Sequence, residues 1–270
     1  MTYLDISEHQ ATINWDQLAQ SPNPPAGVII RAGYGRNNID KQWLRNIQAC
    51  NTLGIPAGAY WFSYAYTPEM AKREAEYFLK AVAPYKLELP LAFDWEYDSY
   101  NHAVKNGVTP TPELVREMTN AFCETIEASR YYCMVYANPD YINKFFGELA
   151  GGRYDLWLAH WGVSLPSRKC GIWQWGGSTF PGIAGNVDSN IAYHDYKALI
   201  SKLGLNQPPA PARPWYAEAQ DWVKSTGISD GDKPEESATR AQVWDMLYRY
   251  YRKNVGAGTG DKQFSGLIDD

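Results

Sequence analysis

Short apolar runs and amphipathic helical stretches alternate through the first 200 residues, and that alternation leaves few architectures open. Strand candidates are residues 3–7, 27–34, 55–64, 88–96, 131–137, 154–161 and 171–176. Helices with readable starts lie between them. Thr67-Pro68 supplies an N-cap and a proline at the first helical position, ahead of Met70, Ala71, Ala75, Phe78, Leu79 and Val82 on one face. Thr111-Pro112 repeats the device ahead of Val115, Met118, Phe122 and Ile126. Such alternation predicts an α/β fold with a largely parallel sheet. The later strands crowd together with little room for helices, so an irregular barrel fits better than eight regular repeats.

One of these strands ends in chemistry. Asp94-Trp95-Glu96 follows the apolar run Leu89-Pro90-Leu91-Ala92-Phe93, which reads as a strand buried on both faces. Side chains alternate along a strand, so the two carboxylates share a face, with Cα atoms about 6.6 Å apart. Paired acids at the mouth of a hydrophobic strand resist desolvation and acquire shifted pKa values. General acid catalysis on a glycosidic bond uses such a pair; the bland alternative is a strand end bonded to neighbouring loops. Asp5, in Tyr3-Leu4-Asp5-Ile6-Ser7, and Asp188, just past the last strand candidate, add two more acids near strand ends. Each alone could cap a helix or make a turn. In a parallel barrel the strand ends form one rim, where all four would meet.

Composition narrows the function classes. A chain of 270 residues, 45% hydrophobic, suits one sizeable domain plus a small module. A net charge of −5 gives no basic patch for nucleic acid. No apolar run is long enough to insert in a membrane. The four widely spaced cysteines read as buried free thiols. Histidine spacing offers no metal site, and no phosphate-cradling loop or other cofactor motif appears. The N-terminus lacks the pattern of a secretory signal, which suggests a removed signal or release through a membrane lesion.

A Pro-rich stretch, residues 206–214, breaks the pattern and reads as a stiff linker after a first domain of residues 1–205. Residues 215–255 carry two short amphipathic helices. The first bears Trp215, Ala219, Trp222 and Val223; the second bears Val243, Leu247, Tyr250 and Tyr251 and opens with a capping box from Thr239 to Gln242. Residues 256–270 read as a flexible, Gly-rich tail.

Taken in order, Asp5-Ile6-Ser7-Glu8-His9-Gln10, Asn14-Trp15-Asp16, Val28 to Gly35, Gly54 to Phe62, Asp94-Trp95-Glu96, Trp157-Leu158-Ala159, Trp173-Gln174-Trp175 and Val187-Asp188-Ser189-Asn190 resemble the family 25 glycoside hydrolases, the Chalaropsis-type lysozymes of bacteria and phage endolysins. The resemblance covers roughly residues 1–203. It implies a (β/α)5β3 TIM-like barrel that cleaves the β-1,4 bond between N-acetylmuramic acid and N-acetylglucosamine of bacterial peptidoglycan, outside the cell. Glu96 matches the family's general acid/base, Asp94 its partner carboxylate, and Asp5 and Asp188 its supporting acids. The C-terminal module resembles a single S-layer homology repeat, which implies binding of a secondary wall polymer or homo-oligomerisation.

In the mechanism this implies, Glu96 is protonated, Asp94 stays ionised, and the substrate acetamido group acts as nucleophile. Direct attack by Asp94, or inversion by water, are the alternatives. Tyr34, Tyr60, Trp61, Tyr64, Trp157 and Trp175 lie on or beside strand ends and form a candidate sugar channel, with core packing as the competing role for each. Arg31 reads as a paired structural charge, with contact to a stem peptide or lactyl carboxylate as the alternative. Two rival functions are a glycan-binding protein on the same barrel and a metal-dependent hydrolase built on the aspartates.

Overall fold

Val28-Ile29-Ile30 and Leu91-Ala92-Phe93 are buried on both faces, which only a sheet covered on each side allows. The computed structural model describes residues 1–207, 216–230, 232 and 237–254. The chain falls into two units, Met1–Pro209 and Ala210–Asp270. The first contains nine strands: β1 (Thr2–Ile6), β2 (Gly27–Tyr34), β3 (Asn38–Ile39), β4 (Ala57–Phe62), β5 (Leu91–Asp94), β6 (Cys133–Ala137), β7 (Asp155–Ala159), β8 (Ile172–Ser178) and β9 (Val187–Ala192). Their order is β1-β9-β8-β7-β6-β5-β4-β2-β3, and a parallel β1–β2 pairing closes an eight-stranded barrel with β3 outside it. Pairings from β1 through β2, β4, β5, β6 and β7 to β8 are parallel. β9 is antiparallel to both neighbours. The expected irregular (β/α)5β3 barrel is the one observed.

Helices follow from their caps. α1 (Trp15–Ala19) and α2 (Trp43–Leu53) precede α3 (Pro68–Val82), where Thr67 accepts from the Met70 N–H. α4 (Tyr97–Lys105) leads to α5 (Pro112–Ala128), where Thr111 accepts from the Leu114 N–H. Both threonine–proline starts therefore hold. The barrel–helix layer contains Trp61, Phe78, Phe93 and Phe122, all fully buried. The short α6 (Pro139–Tyr141) follows β6, and α7 (Tyr196–Leu203) closes the barrel's lower end.

The barrel interior is layered by the two-residue alternation of strands. Tyr3, Ile29, Ala92, Met134 and Ile172 form an apolar lower layer. Two residues further along the same strands come Asp5, Arg31, Asp94, Tyr136 and Gln174. Because β9 runs the other way, Ala192 lies low and Asn190 and Asp188 lie above it. These strands thus change from apolar to polar toward the C-terminal rim, and the site follows from that change.

β2 bulges between Arg31 and Gly33, where β3 folds back onto it. A Cβ at Gly33 would run into the Asn38 carbonyl oxygen and stand 2.5 Å from the Trp61 ring. Neither backbone nor buried indole can yield, so Gly33→Ala is expected to destabilise the barrel by about 1–3 kcal/mol, measured as a lower melting temperature.

Asn206 is buried, its Nδ2 donating to Leu89 O (2.8 Å) and its Oδ1 accepting from the Tyr132 N–H (2.7 Å), so it belongs to the barrel. The rest of the linker (apart from Gln207), Trp215 and the tail at 256–270 lie outside the described residues. The second unit contains α8 (Ala217–Thr226) and α9 (Arg240–Asn254). The capping box is present: Gln242 N donates to Thr239 Oγ1, and Thr239 N donates to Gln242 Oε1. Trp222 packs against Tyr250 at 5.8 Å, while Trp244, Leu247 and Tyr248 are exposed.

Candidate active site

Four acids meet at the C-terminal rim of the barrel. Asp5 and Asp188 are direct partners across β1 and β9. Asp94 ends β5. Glu96 follows it as the N-cap of α4, and its extended backbone continues the strand alternation, so both side chains turn the same way. The Glu96 N–H donates to Ser99 Oγ (3.0 Å), which fixes the start of α4. Asp188 was expected beyond the last strand; it lies instead within β9. That strand escapes notice because its inward residues, Asp188 and Asn190, are polar.

Asp94 and Glu96 are close enough for each carboxyl group to shift the other's pKa. No N–H or hydroxyl donor reaches Asp94 Oδ1, which is fully buried. A proton held between the two carboxyl groups satisfies the pair best. Burial raises Asp94 well above the usual carboxylate range, and the charges of Glu96 and Asp5 add to it. Burial also raises Glu96, to about 7, with Asp94 acting against the shift. Burial thus opposes the ionised Asp94 that the sequence reading expects. Asp94 is the deeper group, whereas Glu96 stands at the positive end of α4, which favours its charge.

Asp5 is raised to about 7 by burial and by Asp188, offset by hydrogen bonds from Asn190 and Gln174. Asn190 Nδ2 donates to Asp5 Oδ2 at 2.7 Å, and Gln174 Nε2 reaches both oxygens at 3.2–3.3 Å. Gln174 Oε1 in turn accepts from the Tyr136 hydroxyl (3.0 Å) and the Trp161 indole N–H (2.9 Å). Asp188, half-buried, is raised by burial. Sequence reasoning assigned no role to Gln174, Asn190, Tyr136 or Trp161. Gln174 between two tryptophans, and Asn190 two residues from Asp188, were the available signals.

The aromatic candidates separate into three groups. Tyr60 borders the acids: burial, Asp5 and Asp94 all raise its hydroxyl. Tyr34 and Tyr64 stand half-buried on the rim with ring centres 6.5 Å apart. Trp175 is exposed at a bulge of β8. Trp61 does not face the cleft; it is fully buried and packs on Phe78 at 5.8 Å, because alternation from Tyr60 turns it toward α3. Trp157 is likewise buried, forming the floor beneath Tyr60 and Tyr136, with its indole N–H on Asn190 Oδ1 (2.7 Å).

Arg31 is the paired charge expected. Its Nε donates to Asp40 Oδ2 (2.8 Å) and its Nη2 to Glu8 Oε1 (2.9 Å). It stands opposite Tyr60 in register, and its charge lowers Asp94 against the larger effect of burial. A further acid, Glu74 on α3, holds the loop after β4: its Oε1 accepts from the Tyr64 N–H (3.2 Å), and burial raises it to about 7. All four cysteines are buried free thiols. Among the described residues no group of three potential ligands could hold a metal ion.

A closed barrel with paired carboxyl groups at its rim is an arrangement that suits glycoside hydrolysis. Residues 4–183 match the family described as Glycosyl hydrolases family 25, and the chain belongs to that family. It is 27% identical over 199 residues to Lysozyme M1 of Streptomyces globisporus, covering 69% of this chain and 66% of that one. It is 26% identical to the modular autolysin LytC of Streptococcus pneumoniae, solved with a synthetic peptidoglycan ligand. That match has a TM-score of 0.61 and covers 71% of this chain but 46% of the autolysin. The fold is also that of a bacterial lysozyme from Streptomyces coelicolor, at 23% identity, TM-score 0.62, 77% of this chain and 98% of that one.

Proposed function

We propose that this chain is a muramidase that hydrolyses the β-1,4 bond between N-acetylmuramic acid and N-acetylglucosamine in bacterial peptidoglycan. The observation that carries the reading is the Asp94–Glu96 pair, with Asp94 buried, joined by Asp5 and Asp188 at the mouth of the barrel. A carboxyl group near pKa 7 can protonate a departing sugar oxygen at neutral pH. Glu96, the less buried of the pair, gives its proton to the oxygen of the leaving glucosamine. Asp94, ionised as the pair's proton moves to Glu96, orients the acetamido N–H of the muramic acid. The acetamido oxygen closes on the anomeric carbon, and the Asp94 carboxylate stabilises the cationic ring. Water then opens that ring with Glu96 as base. Asp5, fixed by Asn190 and Gln174, and Asp188 add negative potential where positive charge develops.

Digestion of purified peptidoglycan, followed by borohydride reduction and mass spectrometry, tests the reaction. New ends are expected to be reduced muramic acid. Reduced glucosamine ends would mean cleavage of the other glycosidic bond, and an absence of fragments would leave a glycan-binding protein.

A further inference from the structure

The loop between β7 and β8 has no role in the chemistry above, yet it exposes more apolar surface than a short loop needs. Trp161 is 53% exposed, Val163 38% and Leu165 72%. The loop is built rather than loose. The Ser167 N–H donates to His160 Nδ1 (3.2 Å), the Trp173 indole donates to His160 O (2.9 Å), and the His160 N–H donates to Gln174 O (3.0 Å). Trp161 itself is anchored at its N–H edge. Its N–H holds Gln174 Oε1, the same side chain whose amide nitrogen holds Asp5. A bulge of β8 at Trp175 leaves a second indole 36% exposed, one residue from Gln174. Bulges next to active sites commonly re-aim a side chain.

Exposed tryptophan is expensive in water, and an indole pinned at its N–H edge has its ring face free and already ordered. Pyranose rings carry faces of polarised C–H groups that suit the electron-rich face of an indole. We propose that Trp161 is a stacking platform for an N-acetylhexosamine ring of the glycan strand beside the cleaved linkage, with Val163 and Leu165 continuing an apolar lip for its acetamido methyl group. The assignment rests on the muramidase reading and adds a subsite to it. Because the anchor is Gln174, the platform and the acid cluster are held in one register.

The test uses the full chain carrying Glu96→Gln, so that ligand binds without turnover. The probe is a stem-peptide-free tetrasaccharide of alternating N-acetylglucosamine and N-acetylmuramic acid, titrated by calorimetry. Adding Trp161→Ala is expected to raise Kd about tenfold, and Trp161→Phe, which keeps a ring face, to recover most of the affinity. In the active chain Trp161→Ala should raise KM more than Trp161→Phe does, because both lose the bond to Gln174 but only the alanine variant loses the ring face. A Kd for Trp161→Ala within twofold of its parent would overturn the platform alone. Equal losses in the Ala and Phe variants would overturn it too, by showing that the N–H bond to Gln174 is what matters. A parent that fails to bind the tetrasaccharide would sink the muramidase reading and the platform with it.

Discussion

Glu96→Gln is expected to reduce peptidoglycan turnover by about 10³-fold while the barrel folds normally, because glutamine keeps the shape and removes the proton to be donated. The loss is read from the release of reducing ends. The same substitution makes an opposite prediction for stability. Glu96 titrates near 7 in the folded chain, above its ordinary 4.5. A group raised in this way contributes stability below about pH 4.5 and loses it as pH rises through 7. At pH 8 the parent therefore holds a buried carboxylate that costs up to about 3 kcal/mol, which glutamine removes. The variant should melt higher than the parent at pH 8 and close to it at pH 4. A variant both inactive and less stable at pH 8 would indicate a structural role for Glu96 instead. The contrast between the two readouts separates a site held under electrostatic tension from a damaged fold.

The barrel was legible in the sequence because its strands, buried on both faces, read as continuous apolar runs, and its helices open with threonine–proline caps. Legibility fails where function replaces packing. β9 was missed because Asp188 and Asn190 occupy the positions an apolar alternation would need. Gln174 and Tyr136 were passed over for a related reason: their importance comes from what they hold, namely Asp5 and each other, across 169 and 38 residues of chain. The aromatic candidates show the opposite error. Tyr60 and Trp61 are adjacent, and strand alternation sends one to the acids and the other into the helix layer. Proximity in sequence to a strand end could not choose between them. Trp161 lay beyond β7, in a loop whose direction is set by bonds from His160 to Ser167 and Trp173 rather than by any periodic pattern.

Asp94→Asn is expected to change the form of the pH–rate profile as well as its height. In the parent the productive state is the pair with one proton, placed on Glu96 while Asp94 is charged. Below that range a second proton fills Asp94, and above it the last proton leaves Glu96. Two interacting carboxyls titrate as a pair, so the profile should be a bell. Both limbs should lie above the ordinary carboxylate range, since burial raises both groups. Asparagine cannot titrate. Its amide can still donate to an ionised Glu96, so a single alkaline limb set by Glu96 remains, while the acid limb disappears. The rate on the remaining plateau should fall by roughly 10²–10³-fold, the usual effect of deleting a preorganised electrostatic partner of a developing charge. Measuring kcat from pH 4 to 9 on soluble glycan fragments distinguishes the outcomes. A bell that survives in Asp94→Asn would assign the acid limb elsewhere, with Asp5 the next candidate, because it too is raised to about 7 and adds to the upward shift of Asp94. An unchanged rate would remove Asp94 from the chemistry and leave Glu96 to act with Asp188.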